Sequence, residues 1–599
     1  MKLIDDIGSN KILLFVGAVL VLIISTLCGL FLESQSLYEN VKFINDNGFE
    51  FDLQKVVSDD ALHLFCVNSE VPPKGEPVSD NSERGNVLFE NAEKNTEKSA
   101  LTLEANGGRI TFTSADGTDH TYKSGEKVAT NILETAISCK INSGINLFAY
   151  ENAFFFHTWE GLPTISINLQ RGSLEDISEE KGLWSDAGYS VWDEEGIQLL
   201  DSECEVKVHG NTTFFNPKKS FDMRMDELTP LLGMEGAKRW VLISNYEDPS
   251  FAKNAVAYSI QQKMECDYAT EMQFVNVYFN DEFQGLYLLL QRPGGGSVSF
   301  TLQDEPQEEQ TYMLELCGLL TYLETPNRFE TERRYIKVRY PDSLGNDLDT
   351  LTKYVQDAES ALYMDNGEDA DAYLSYFDQE SFAKHYLIHD FLKNYEAELS
   401  SQYIYLQVGE KIMSGPAWDF GGTMYTPCDT PLDGAELLHI KSMKEYPKVE
   451  DNMWFQELDC HADFHEYMKD MYLHDFYPKA KQAVTEFQEN TVNEIRAAAD
   501  FDHSMWMASE LSFTEDMEYT TEWMIKRLDF LYEYYSHEEE YCLVTFDLQD
   551  RYDAIYPVKK GSSLEWIPEG GTWQDGSGEK AEKGMIIDSD IVFYNMNEE

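Results

Sequence analysis

Between Asn394 and Gly421 the sequence sets several residues at spacings that phosphoryl-transfer chemistry uses. The run Ser414-Gly-Pro-Ala-Trp418-Asp419-Phe420-Gly421 places an Asp before an apolar residue and a Gly. That is one way to present a carboxylate to Mg²⁺ beside a nucleotide. Upstream, Asn394-Tyr395-Glu396 is followed by Ser401 and by the strand-like Tyr403-Ile-Tyr405. Glu396 and Ser401 are five residues apart, the spacing of the base Asp and the metal-binding Asn in the protein-kinase loop H-R-D-x4-N. An acid, a polar metal ligand and a D-F-G across a β-turn form a phosphoryl-transfer constellation. The same residues also fit an ordinary helix that ends in a hairpin with its acids facing water, in which Asp419 only caps a turn.

The elements that must position these residues are mixed. Val206–Val208, Phe221–Met225, Trp240–Ile243, Phe274–Phe279 and Gly285–Leu290 read as strands, with one convincing helix over Phe251–Lys263 among them. From Asp349 to Ser536 the pattern is mostly helical, interrupted by a β-like stretch at Tyr403–Ile412. Residues 34–160 read as a β-rich module, with alternation at Leu101–Ala105 and Arg109–Thr113 and a turn at Asp116-Gly117. Within it, Pro72–Ser99 is polar and turn-rich and reads as a loop or insert. Residues 541–599 return to short strands separated by glycine turns and read as a second small β-module.

The chain has 599 residues and a net charge of −62. Such a field repels phosphate backbones and excludes nucleic-acid binding as a default function. It also opposes ATP unless a metal ion and local cations intervene. From Ile12 to Leu32 runs an uncharged stretch of 21 residues, enough to cross a bilayer as a helix. It is longer than the apolar region of a cleaved leader, and no A-x-A site follows. Residues 1–33 therefore read as a cytoplasmic N-terminus and an uncleaved single-pass anchor to the cell membrane, with Lys2 and Lys11 before the span. The bulk of the chain is then expected outside the cytoplasm. Nine cysteines are scattered without a C-x-x-C, so neither a zinc ribbon nor a thioredoxin-type site is indicated. Disulfides and buried free thiols both remain open.

Several blocks in order resemble the CotH-type (spore coat protein H) family of atypical, extracytoplasmic protein kinases. Val208-His209-Gly210-Asn211-Thr212-Thr213 with Pro217-Lys218-Lys219-Ser220-Phe221 resembles its R-G-N-[ST]-[ST]…K-K-[SP]-[YF] signature. Leu231-Leu232-Gly233-Met234…Trp240-Val241-Leu242…Asn245-Tyr246…Asp248, followed by Lys253-Asn254, is similar to L-L-G-M…W-V-L-L…N-Y-x-D and R-N. Phe279-Asn280…Phe283-Gln284-Gly285-Leu286-Tyr287, Tyr312-Met-Leu-Glu315, Ile336-Lys337…Tyr340-Pro341-Asp342 and the Asn394–Gly421 block complete the set.

The resemblance implies an α+β fold over residues 161–540: an atypical protein-kinase-like, two-lobed domain with a mixed β-rich N-lobe and a helical C-lobe, flanked by the small all-β modules. It implies Mg²⁺ and ATP as cofactors and transfer of phosphate to Ser or Thr of a surface or coat protein. Carried over, Asp419 is the metal ligand, with Ser401 beside it, and Glu396 stands at the catalytic-acid position where the family has Asp. Asn211, Asn394 and Ser401 fall at cofactor-binding positions. Lys218, Lys219, Arg224 and Lys253 are expected to contact phosphates, because an anionic nucleotide needs cations nearby. The alternative is a catalytically impaired pseudokinase that acts as a surface binding or scaffold protein, as Glu396, Gln291 and His209 depart from the family pattern.

Other candidates are weaker. His385 and His389 lie four apart on a helix without the Glu of H-E-x-x-H, so helix packing is expected. Cys460, His461 and His465 lack a fourth ligand. On the last helix, Lys526-Arg527 reads as a solvated edge beside an aromatic core face.

Overall fold

The structure, a computed structural model, describes residues 41–44, 50–55, 62–67, 100–105, 108–143, 149–159, 162–194, 196–280, 282–293, 310–341, 347–364, 371–426, 428–430, 432–444, 448–506, 509–549 and 551–596. The expected anchor at 12–32 and the insert at 72–99 lie outside the described residues. Among the described residues no helix is long and apolar enough to cross a membrane.

Alternation in the second quarter of the chain closes on itself. The strands Thr164–Leu169, Ser185–Trp192, Gln198–His209, Ser220–Thr229, Ala237–Ile243, Glu282–Gln291 and Met272–Phe279 follow one another around a closed barrel. Its last strand pairs in parallel with its first, Thr164 facing Asn276 and Ile167 facing Phe279. Because strand side chains alternate between faces, Val206, Val208, Phe221, Met223, Trp240, Leu242 and Tyr287 fill the interior. The intervening Lys207, His209 and Asp222 belong to the outer face. Lys207 lies directly opposite Asp222 across two strands.

The helix Ala252–Lys263 connects two barrel strands and buries eight of its twelve residues. Asp248 starts it by accepting the Lys253 N–H at 2.8 Å. Beyond the barrel lies an antiparallel sheet in the order Arg328–Glu330, Tyr335–Tyr340, Thr311–Cys317, Gln402–Gln407, Met413–Ser414. Glu315 there faces Lys337 on one neighbour and Tyr403 on the other.

The rest of this region is helical. Asp378 caps the helix Gln379–Leu392 through the Ser381 N–H at 2.8 Å. A Ser512/Glu515 capping box opens the last long helix, Phe513–Ser536. Arg527 on that helix is fully buried rather than on a solvated edge. Its guanidinium donates to the carbonyls of Ala435 (2.8 Å) and Asp390 (3.0 Å) and pairs with the Asp390 carboxylate at 3.1 Å. The neighbouring Lys526 is solvent-exposed.

At the N-terminal side a nine-stranded sheet buries Phe43, Phe112 and Phe154 against one another. Phe51 meets Tyr278 edge-on at 6.3 Å and joins that core to the barrel. At the C-terminal side, strands from Tyr541–Asp547 to Ile591–Asn595 form a four-stranded and a two-stranded sheet around Phe546, Trp566 and Trp573. The fold is thus mixed α+β, as expected. Cys139, Cys204, Cys266, Cys317, Cys428, Cys460 and Cys542 are free thiols.

Candidate active site

The helix Gln379–Leu392 ends at Lys393, whose left-handed backbone (φ 49°) turns the chain sharply. The Asn394 side chain secures the turn that follows. Its Oδ1 accepts the Glu396 N–H at 3.1 Å, and its Nδ2 donates to His389 Nδ1 at 3.2 Å. The Glu396 carbonyl receives the N–H groups of Leu399 and Ser400. Chain direction then reverses through the hairpin and returns at Met413–Ser414.

Gly415 (φ 127°) follows, and a Cβ there would lie 2.7 Å from the His385 ring, so the close passage needs glycine. Two side chains of the helix Ala252–Lys263 then grip the next residues. Gln261 donates to the Ala417 carbonyl at 2.9 Å and accepts its N–H at 3.2 Å. Asn254 Oδ1 accepts the Phe420 N–H at 3.0 Å. Phe420 is buried, stacked on His389 at 5.4 Å and edge-on to Tyr258 at 6.0 Å. The residue between these anchors, Asp419, adopts φ 67°, a conformation that Asp tolerates better than most side chains. The residue as a whole is exposed, but the surrounding protein is dense enough to withdraw its carboxylate from bulk water. The Ser401 hydroxyl donates to it at 3.3 Å.

Two carboxyl groups therefore share one cleft. Burial raises Glu396 to about 7, and the neighbouring charges of Asp419 and Glu247 add to that rise. Asp419 is pushed up too, first by burial and then by Glu247 and Glu315, while His209 and the Ser401 hydroxyl pull it back. His209 Nδ1 stands 3.2 Å from Asp222, so this one ring links Asp419 electrostatically to the outer face of the barrel.

Cations collect on that face. Asp222 is nearly inaccessible and pairs with Lys207 at 3.0 Å and Arg292 at 2.5 Å, which with His209 hold it far below the usual carboxylate range against the opposing effect of burial. Glu315 plays the same part on the sheet, taking Arg339 at 2.5 Å with Lys337 at 4.0 Å. Burial and the Arg339 charge lower Lys337 to about 8.

The model of the CotH kinase protein family matches residues 206–531, more than half of the chain. The protein belongs to the CotH kinase family. The matched segment holds the barrel strands with Asp222, the helix that grips Asp419, and both carboxyl groups of the cleft. No curated protein matches the chain.

Within this CotH domain the structure brings Glu396, Asp419 and Ser401 together, and Lys253 behind them. The Lys253 ammonium lies 3.5 and 3.4 Å from the carbonyls of Gly421 and Thr423, so it braces the chain after Asp419. The other expected phosphate contacts are engaged elsewhere. Lys218 is fully buried, with its three donors on Asp502 (2.6 Å) and the carbonyls of Ser244 and Leu286 (2.7 Å each). It pins the barrel to the helix Val492–Trp506. Gly285 is part of the same joint, since a Cβ there would lie 2.1 Å from the Asp502 carboxylate. Lys219 donates to the Phe214 carbonyl at 2.8 Å. Arg224 pairs with Glu205 at 2.5 Å and lies over the Trp184 ring. Asn211 accepts Lys181 at 2.6 Å on the surface. Asn394 is buried with both side-chain ends in use, so it shapes the turn rather than meeting a ligand.

Lys207, Asp222, Arg292, Glu315, Lys337, Arg339 and Gln261 received no role from the sequence. Glu315 and Lys337 stood in the blocks that resemble the family without a role, Gln261 sat unmarked on the helix Ala252–Lys263, and the others signalled only as charges beside apolar strand residues. The two helix histidines pack as expected. His385 lies 2.8 Å from the Ser381 carbonyl, and burial lowers both, to about 4 for His385 and about 3 for His389. His465 bridges Asp459 and Glu538 at 2.7 and 2.8 Å.

A divalent cation fits the donors present. Asp419 offers a carboxylate and Ser401 a hydroxyl beside it. Magnesium commonly takes one or two protein oxygens and completes its shell with phosphates and water. Among the described residues no group of three or more His, Cys, Asp or Glu side chains could hold a metal by itself.

Proposed function

We propose that the protein is a protein kinase that transfers phosphate from MgATP to a Ser or Thr hydroxyl of an extracytoplasmic surface or coat protein. The N-terminal apolar segment would anchor it as a single-pass membrane protein. One observation carries the reading: Glu396 and Asp419, from two different turns, feel each other's charge, and Asp419 also feels His209 and Glu315, the neighbours of Asp222 and Arg339 in the cation-rich face.

In this reading Asp419 and Ser401 would hold Mg²⁺, which when bound would offset charge on the nucleotide phosphates. The cations of the barrel face and sheet hold those phosphates. Glu396 orients the acceptor hydroxyl and takes its proton as the new O–P bond forms and ADP departs with the electrons of the broken P–O bond. Burial brings Glu396 near 7, the range in which a carboxyl exchanges protons most effectively at neutral pH.

A second reading, a nucleotide-binding scaffold without turnover, draws on the pairing of those cations with Asp222 and Glu315. The deciding experiment measures Mg²⁺-dependent ATP binding and phosphate incorporation by the purified full-length protein, with Asp419→Ala in parallel. Incorporation that disappears in the variant supports the kinase. Binding without incorporation supports the scaffold, and absence of both removes the nucleotide from the account.

A further inference from the structure

The segment that follows Asp419 is held from outside the family-matched region. Residues 438–444 form backbone hydrogen bonds with the C-terminal module: Leu438 N–H to Ile555 (3.1 Å), Asp553 N–H to Ser442 (2.8 Å) and Lys444 N–H to Arg551 (2.7 Å). Lys444 also pairs with Asp547 and Asp553 at 2.8 and 2.9 Å. The Trp566 indole donates to the Asp429 carbonyl at 2.9 Å. Leu437 sits in the apolar core of that module.

At the centre of this contact is Tyr552. Its hydroxyl lies 2.7 Å from His439 Nδ1, and His439 Nε2 lies 2.8 Å from the Asn394 carbonyl. All three residues are buried. The partners fix the tautomer: a carbonyl can only accept, so Nε2 carries the hydrogen and Nδ1 accepts from the tyrosine. Burial and the Lys393 charge keep this imidazole neutral. The Asn394 carbonyl also receives the Ala397 N–H at 3.0 Å, and the Asn394 side chain holds the Glu396 N–H. A second path runs in parallel through rings: Tyr552 to Tyr425 and Tyr425 to Tyr395, each at 5.4 Å. The Tyr395 hydroxyl is 3.4 Å from the Glu396 carboxylate.

We propose that the C-terminal module is a positioning element for the site, with Tyr552 and His439 as positioning residues that set the turn carrying Glu396. The consequence for turnover rests on the kinase reading, whereas the consequence for the turn does not.

The test uses the full-length protein with Tyr552→Phe, His439→Leu and His439→Gln, and with Tyr594→Phe on the module's exposed outer side as control. Hydrogen exchange over residues 394–401 should quicken about tenfold in Tyr552→Phe and His439→Leu, the scale of losing one buried hydrogen bond. His439→Gln should exchange more slowly than His439→Leu, because the amide can still donate to the Asn394 carbonyl. In a protein that incorporates phosphate, the same two variants lower kcat about tenfold while KM for MgATP stays unchanged and the unfolding midpoint falls by only a few degrees. Unaltered exchange in Tyr552→Phe and His439→Leu overturns the inference, whether or not the protein is a kinase. Faster exchange in the two variants, when the wild-type protein itself incorporates no phosphate, supports the positioning role and removes the kinase reading instead.

Discussion

Lys218 separates a structural from a ligand-binding account of the lysine pair in the signature. Lys218→Met takes a buried ammonium away from Asp502 and leaves that carboxylate with the Leu286 N–H at 2.8 Å. It also strips a donor from the Ser244 and Leu286 carbonyls. Removing one partner of a buried ion pair costs about 3–5 kcal/mol, because the other charge stays behind without compensation. For a domain as large as residues 161–540, about 1 °C per kcal/mol, the unfolding midpoint should fall by about 5 °C. Adding Asp502→Asn removes the stranded charge while keeping an acceptor for Leu286, so the double variant should recover more than half of the loss. Thermal unfolding followed by circular dichroism reads both steps, and calorimetric titration reads MgATP affinity. An unchanged midpoint together with about tenfold weaker MgATP binding would refute the structural account and return Lys218 to the phosphates.

Glu396 is raised to about 7, so a step that needs its carboxylate should gain rate as pH rises through the neutral range. Glu247→Gln removes a nearby negative charge that raises both carboxyl groups, and the rising limb of the pH–rate profile should move to lower pH. Arg339→Gln and Arg292→Gln each delete a cation paired with Glu315 or Asp222. Titration should show MgATP affinity about tenfold lower or worse in each, with Arg224→Gln unchanged because Arg224 is committed to Glu205 and Trp184.

Local elements and the family were legible in the sequence because they depend on period and punctuation. The strand Ser220–Thr229 was visible from Phe221, Met223 and Met225, and the helix near Phe251–Lys263 from its apolar faces. Asp419, Glu396 and Ser401 were legible as a group because spacing within one hairpin nearly dictates their proximity. What was not legible depends on partners far away in the chain. Lys218 looks like any exposed lysine until Asp502, 284 residues on, closes over it. Asp222 is an ordinary acid in an alternating strand until Lys207 and Arg292 arrive from its neighbours. Arg527 reads as a solvated position from its polar neighbours, yet the carbonyls of Ala435 and Leu437 make it a core residue.

The strongly negative chain and an anionic substrate are compatible because distance decides which charges count. At physiological salt, exposed charges beyond about 8 Å are largely screened, so the cleft responds to its own groups. There Asp222 and Glu315 keep Lys207, Arg292, Lys337 and Arg339 in fixed positions without neutralising all four. Donors held in place before a ligand arrives cost little reorganisation when it does. The two carboxyl groups act in the opposite sense, since Asp419 helps to keep Glu396 protonated at neutral pH. A positive charge brought to Asp419 cancels that effect and lowers the Glu396 pKa. Burial, the larger cause, still holds Glu396 up, yet the ionised fraction at the base position rises when the neighbouring carboxylate is occupied, which couples the readiness of the base to the charged ligand.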